Sequence, residues 1–301
     1  MKAAVYYETG GPDVFRYEDV DDPVCHSRGV LVDIEAVSIE GGDVLNRAGG
    51  VMATTPHIVG YQAAGTIREV GADVTNRAVG QRVTTVGPFG SHAAIRSVPA
   101  QSTWLVPDGL SIEEATAVPI PFGTADDCLF EFGHLAPAET VLVQGGGGAV
   151  GLAAIQLAKR AGARVFATAS TDAKLERLAG FGVDEGINYR DGDLVQAVND
   201  LTGGADVDLV VDPVGGEVLG QSLQCLAPRG RAVSVGNASR GERNLDPSQI
   251  GPNRSPTSVS LAAEMGTSRV TAMIRAHLRD IAAGDLPPVF VPLPKLEPER
   301  V

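Results

Sequence analysis

Cysteine is scarce in this chain and poorly placed for cross-linking. Cys25, Cys128 and Cys225 are odd in number and far apart. They supply neither a disulfide framework nor a metal knuckle, and a reducing, cytoplasmic setting is the simplest expectation. Basic residues are in deficit too: 24 Lys and Arg stand against 37 Asp and Glu, for a net charge of −13. A surface of that sign disfavours nucleic acid and anionic membrane as partners. It leaves room for an anionic small molecule, which needs only a local basic group. The opening "MKAAVYYETGGPDVFRYEDV" has no apolar signal core and soon turns acidic, so it does not read as a secretory signal. Internal repeats are missing. One uncharged run, Thr140 to Ala158, has the length of a membrane span. Its four consecutive glycines and its two glutamines, Gln144 and Gln156, make it a poor candidate for insertion.

What is present divides in two. A length of 301 residues suits about two domains, each able to bury a core. The first third carries short alternating or apolar runs, "MKAAVYY", "GVLVDIEAVSI", "AAGTIREVG", "QRVTTVG" and "HAAIRSVP", separated by Gly, Pro and Asp. These read as strands of a small barrel-like domain. The stretch from Ser111 to Phe132 has helical spacing, with Ser111 as N-cap, Glu114 three residues on, and Pro119 and Pro121 expected to break it in two. From about residue 138, strands and helices alternate: "TVLVQ", then "AVGLAAIQLAKRAG", "RVFATA", "TDAKLERLAGFG" and onward to "GRAVSVGN". That order predicts a doubly wound parallel sheet. Ser239 to Ser258 reads as a loop, "PTSVSLA" as a further strand and "RVTAMIRAHLRDIAAG" as a helix.

The glycines of "VQGGGGAVGL" lie between a strand and a helix, where a dinucleotide-binding turn belongs. Gly146, Gly148 and Gly151 fit G-x-G-x-x-G. The expected roles are the tight turn for Gly146, close approach to a pyrophosphate for Gly148 and helix packing for Gly151. The helix N-terminus, with Ala149 and Val150, then offers N–H groups and a partial positive charge to phosphate. An NAD-preferring site usually carries an acidic residue at the end of the second strand. Here Ser170 stands there, Asp172 is read as a helix N-cap, and Lys174 follows on the first turn. A hydroxyl beside a lysine suits a 2′-phosphate and favours NADPH.

The order of segments resembles the medium-chain dehydrogenase/reductase superfamily, and within it the zinc-independent quinone oxidoreductases related to zeta-crystallin. The resemblance covers about residues 1–290. It is carried by "VPDGLSIEEATAVP", "VLVQGGGGAVGLAAIQLAKRAGARVFATAST", "GINYRD" and "VSVGNAS". It implies a GroES-like β-barrel catalytic domain over 1–122, a Rossmann NADP-binding domain over 123–265, and a C-terminal return, 266–301, to the first domain. It also implies that Lys174 and Tyr189 meet the 2′-phosphate, that Asn237 lies near the nicotinamide ribose, that Thr124 starts a helix facing the nicotinamide, and that the chain is a homodimer.

Zinc-dependent relatives have Cys and His-Glu where this chain has Glu40 and Gly60-Tyr61-Gln62, and a four-cysteine lobe after the position of Phe89. No such lobe exists here, and the five histidines show no ligand spacing and read as surface or capping residues. No metal is expected. The pocket loop "SIEGGDVLNR" departs from the family: Glu40 replaces a common Asn and Leu45 a common Tyr. Glu40, Asp43 and Tyr61 are the pocket candidates, Asp43 and Glu40 having loop-bracing as their plain alternative. The expected activity is zinc-independent hydride transfer from NADPH to a quinone or an electron-poor alkene, the alternative an NADPH-binding sensor or structural protein without turnover. Relatives continue past the proline-rich ending "DLPPVFVPLPKLEPERV", so the C-terminal return reads as shortened, with an exposed and less stable first domain expected.

Overall fold

A computed structural model describes residues 1–242 and 247–289. It divides the chain into two units, Met1–Ile120 joined by the segment from Glu264, and Pro121–Ala263.

In the first unit, β1 (Lys2–Tyr6), β2 (Arg16–Asp19), β3 (Gly29–Ser38), α1 (Gly41–Gly49), β4 (His57–Ile58), β5 (Gln62–Val70), β6 (Arg82–Val86), β7 (Ile95–Pro99), β8 (Thr103–Leu105) and α2 (Ile112–Thr116) follow in order. They form two antiparallel sheets among the described residues, β2-β1-β4 and β7-β3-β5-β6-β8, bridged at Ala3 and Ala93. Val30, Val32, Ile67, Val83 and Val98 alternate inward from these strands and form their core. The helix α1 lies inside the pocket loop, where no helical period is legible.

The second unit holds α3 (Pro119–Asp126, which begins just before the division), β9 (Thr140–Val143), α4 (Ala149–Arg160), β10 (Arg164–Ala169), α5 (Asp172–Ala179), β11 (Glu185–Asn188), α6 (Leu194–Thr202), β12 (Val207–Asp212), α7 (Glu217–Gln224), β13 (Leu226–Ser234) and β14 (Ser255–Ser258). Six parallel strands run in the order β11-β10-β9-β12-β13-β14. This is the expected Rossmann sheet. β9, β10 and β12 are buried through almost their whole length because helices cover both faces, hence their unbroken apolar runs. Strand order reverses at β9, so the glycine loop that follows β9 opens at the topological switch point.

The final helix, α8 (Ser268–Ala282), belongs to the first unit, and Trp104 Nε1 donates to Thr271 O at 3.1 Å. The proline-rich ending is not helical from Asp285 to Val289, and its remainder lies outside the described residues. So does part of the loop expected over Ser239–Ser258, whose last four residues form β14 instead.

The helical stretch after Ser111 follows its capping chemistry closely. Glu114 N–H donates to Ser111 Oγ and Ser111 N–H to Glu114 Oε2, which closes a capping box. The break falls at Ala117–Val118, before both prolines. Pro119 opens α3 and Pro121 sits inside its first turn, where a missing N–H breaks no helical bond. The stretch is therefore divided in two as expected, with the break just before the prolines rather than at them. Two histidines also differ from expectation: His57 and His277 are buried, and His57 packs between the rings of Tyr6 and Phe89 at 5.2 and 5.5 Å.

Candidate functional site

The glycine loop is built by four glycines with different duties. Gly145, at φ +59°, makes the left-handed turn, a duty the sequence pattern places one residue later. Gly146 is required by packing instead: a β-carbon there would stand 2.9 Å from Leu178 and 3.0 Å from Ala167. Gly148 is the N-cap of α4, and no side chain caps that helix. Gly151 faces the loop, since a β-carbon would lie 2.6 Å from Gly145 O and 2.8 Å from the Gly146 α-carbon. The first-turn N–H groups of α4, from Ala149, Val150 and Gly151, have no partner within the helix. They form a donor cluster of the kind that receives phosphate.

Residues that composition did not single out hold this loop. Thr168 Oγ1 donates to Gln144 Oε1 at 2.8 Å and accepts Gly145 N–H at 3.0 Å. Gln144 Nε2 donates to Ser222 Oγ at 3.0 Å. All three side chains are buried. A glutamine directly before the glycines, in an otherwise apolar strand, was the available signal.

At the end of β10, Lys174 Nζ donates to Ser170 Oγ at 3.1 Å on the surface. Asp172 is not the N-cap of α5. Thr171 is, accepting Lys174 N–H on its side chain, and Asp172 is the first helical residue. Asp172 Oδ1 accepts from Asn188 Nδ2 at 3.0 Å. Tyr189, half exposed at 51%, follows β11 beside this cluster. Asn237 braces its own loop, donating from Nδ2 to Gly241 O at 2.9 Å. Just before it, a cavity of about 560 Å³ opens beyond the ends of β12, β13 and β14, lined by Gly215, Gly216, Ser234, Gly236 and Ser258 among others. Thr124 is buried on α3.

In the first unit the pocket candidates form one connected network. Glu40 Oε1 accepts from Ser38 Oγ at 2.8 Å and from Gln62 Nε2. Gln62 Oε1 accepts Ile120 N–H at 3.0 Å, the one backbone donor between Pro119 and Pro121. Burial pushes the Glu40 carboxyl up, against these two bonds that lower it. Asp43 braces the loop, accepting Glu40 N–H at 2.9 Å and Tyr61 N–H at 3.2 Å. Burial raises its pKa to about 6. Tyr61 is held at both ends of its backbone, because Arg96 Nη2 donates to its carbonyl at 3.0 Å.

A zinc ion does not fit here. The positions that would offer Cys, His and Glu hold one carboxylate, a phenol and an amide. The carboxylate and the amide are already engaged with each other. Among the described residues, no group of three or more His, Cys, Asp and Glu side chains could hold a metal. No described helix is long and apolar enough to cross a membrane.

Two family profiles match the chain: "Alcohol dehydrogenase GroES-like domain" over residues 26–108 and "Zinc-binding dehydrogenase" over residues 149–279. A 2-haloacrylate reductase of Burkholderia sp. is 34% identical over 246 residues, 79% of this chain and 74% of that protein. The chain belongs to the medium-chain dehydrogenase/reductase superfamily, among its quinone oxidoreductase-like enzymes. A quinone oxidoreductase of Pseudomonas aeruginosa is 34% identical over 232 residues, covering 76% of this chain and 71% of that one. The crystal structure of Escherichia coli quinone oxidoreductase complexed with NADPH superposes with a TM-score of 0.91 at 27% identity, covering 95% and 90% of the two chains. The second profile's match, over residues 149–279, does not include Glu40, Tyr61 or Gln62.

Proposed function

We propose that this chain is an NADPH-dependent, zinc-independent reductase of quinones or electron-poor alkenes. The observation that carries the cofactor choice is the Lys174–Ser170 pair at the end of β10. It places a cation and a hydroxyl where an NAD-preferring site needs a carboxylate. Asp172, the nearby acid, is bonded to Asn188. Bound NADPH would supply a hydride from its nicotinamide ring. In this reading the N–H groups of Ala149, Val150 and Gly151 receive the pyrophosphate, Gly146 and Gly148 keep the loop close, and Lys174, Ser170 and Tyr189 receive the 2′-phosphate. Thr124 and Asn237 serve the nicotinamide end. The NADPH-bound bacterial relative supports this assignment.

The test is NADPH oxidation against a panel of quinones and enones, with and without a chelator. Turnover with at least one class, unchanged by chelation and with no zinc retained through dialysis, is the expected result. NADPH binding without any turnover would favour a sensor. One retained zinc per chain, needed for turnover, would overturn the metal reading.

A homodimer is part of the proposal. β14 is the edge strand of the six-stranded sheet, and exposed edges recruit partners. Val259 N–H bonds inward to Ser234 O, so the neighbouring Ser258 points its N–H outward. Ser258→Pro is expected to shift the sedimentation profile from dimer to monomer. A wild-type profile at monomer mass would end this part of the reading.

A further inference from the structure

Thr168 carries a hydroxyl at a position where packing alone asks for none. It is 1% exposed in β10, between two alanines, and a valine of the same shape suits a buried strand site. Its partners explain the hydroxyl. Three successive N–H groups leave the end of β9 for different acceptors. Gln144 N–H donates to Val211 O at 3.0 Å, Gly145 N–H to Thr168 Oγ1 at 3.0 Å and Gly146 N–H to Thr168 O at 2.8 Å. Thr168 thus clamps two consecutive glycines, one with its side chain and one with its carbonyl.

The direction of these bonds is fixed from one end. A backbone N–H can only donate, so Thr168 Oγ1 accepts from Gly145 and has its one proton left for Gln144 Oε1. That bond turns the Gln144 amide nitrogen toward Ser222 Oγ on α7. The relay therefore runs one way, from the loop through three buried side chains to a helix. At the other end, Gly145 passes its position on. Its carbonyl accepts Gly148 N–H at 2.9 Å, and Gly148 is the N-cap of α4. The N–H groups of Ala149, Val150 and Gly151 follow directly. None of these bonds involves Ser170 or Lys174, which pair with each other.

We propose that Thr168 is the positioning residue for the cofactor's pyrophosphate, with Gln144 and Ser222 holding its hydroxyl in the one orientation that serves. It acts through Gly145 and Gly148 on the N–H groups that receive the phosphates. This rests on the NADPH reading and deepens it: the two anionic parts of the cofactor are governed by separate devices. The relay governs the pyrophosphate, and Lys174 with Ser170 governs the 2′-phosphate. Without the hydroxyl, Gly145 N–H and Gln144 Oε1 lose their partner, and the loop relaxes toward water to satisfy the N–H. Binding must then rebuild the turn, so the loss falls on ligands that carry a pyrophosphate.

Two ligands separate the devices: NADPH, followed by calorimetry, and adenosine 2′-phosphate, followed by NMR titration, which carries the 2′-phosphate and no pyrophosphate. Thr168→Val is expected to weaken NADPH about tenfold, the factor for one buried donor left unmatched, and to leave adenosine 2′-phosphate within about twofold of wild type. Thr168→Ser restores the hydroxyl and should bind NADPH within about twofold of wild type. Ser222→Ala removes only the far end of the relay and should weaken NADPH about threefold, with adenosine 2′-phosphate unmoved. It reads the same relay if Thr168→Val fails to fold. A role confined to folding moves both ligands together or neither. Equal losses for the two ligands, an unchanged NADPH affinity in Thr168→Val or Ser222→Ala, or no rescue by Thr168→Ser overturns the proposal and leaves the NADPH reading intact. A wild type that binds neither ligand overturns both.

Discussion

Lys174→Glu is expected to weaken NADPH binding by at least about tenfold while leaving NADH almost untouched. Lys174 Nζ and Ser170 Oγ are 3.1 Å apart and form the polar corner read as the 2′-phosphate site. A charge-assisted bond to phosphate contributes about 1.5–3 kcal/mol, and each 1.4 kcal/mol is about tenfold in affinity. The substitution also places a negative charge against the phosphate. Folding should not suffer. Lys174 is exposed, and it occupies the first turn of α5, where the helix dipole favours a carboxylate. Titration calorimetry with both cofactors measures the effect. Equal losses for NADPH and NADH would take Lys174 out of the phosphate site.

Arg96→Leu should strongly destabilise the first unit. Arg96 is 2% exposed and donates to Thr85 Oγ1 at 2.9 Å, Gly60 O at 3.3 Å, Tyr61 O at 3.0 Å and Phe89 O at 2.8 Å. Two effects oppose each other. Burying the cation is unfavourable, and that burial drops its pKa to about 10. Replacing buried charges with apolar groups stabilises some proteins, but only when the partners are replaced as well. Three partners here are backbone carbonyls, which no substitution removes. Orphaning wins: Tyr61 O and Gly60 O keep the N–H groups of Gly87 and Ser91, but Phe89 O and Thr85 Oγ1 lose their donor, and at about 1–3 kcal/mol for each acceptor left without water the total should reach about 3 kcal/mol. For a domain of this size each kcal/mol shifts Tm by about 2–4 °C, so a fall of about 6–12 °C is expected. A melting curve within about 2 °C of wild type would show that water replaces the guanidinium without loss.

The cofactor unit was legible because its signals are local and periodic. β9, β10 and β12 are apolar almost throughout, and the glycine loop needs only its two flanking elements to be recognised. The capping box at Ser111 and Glu114 was equally plain. The first unit was harder. The helix α1 carries three glycines in "GGDVLNRAG", which suppress any propensity signal. Its Asp43 and Asn46 make sense only through Tyr61, fifteen or more positions away. Arg96 is a single charge inside the run "HAAIRSVP", with no partner in spacing. Its role comes from four partners on three separate segments, a pattern invisible to spacing. Within the glycine loop, the turn was assigned to Gly146 and falls at Gly145, because the motif fixes residue types and not dihedral angles.

The bond from Ile120 N–H to Gln62 bears on how this lineage can change. Pro119 and Pro121 leave α3 with a single backbone donor to satisfy among its first three residues, and Gln62 satisfies it while also neutralising part of Glu40's demand for donors. Position 62 is therefore committed twice. A mutation toward glutamate keeps the acceptor for Ile120 but sets two carboxylates against each other. A mutation of Glu40 toward cysteine strips Gln62 of its partner before any other ligand exists. Each intermediate leaves a buried polar group unmatched, at about 1–3 kcal/mol apiece, against a total stability of only about 5–15 kcal/mol. Either single substitution therefore costs stability before a second new side chain is in place to offset it.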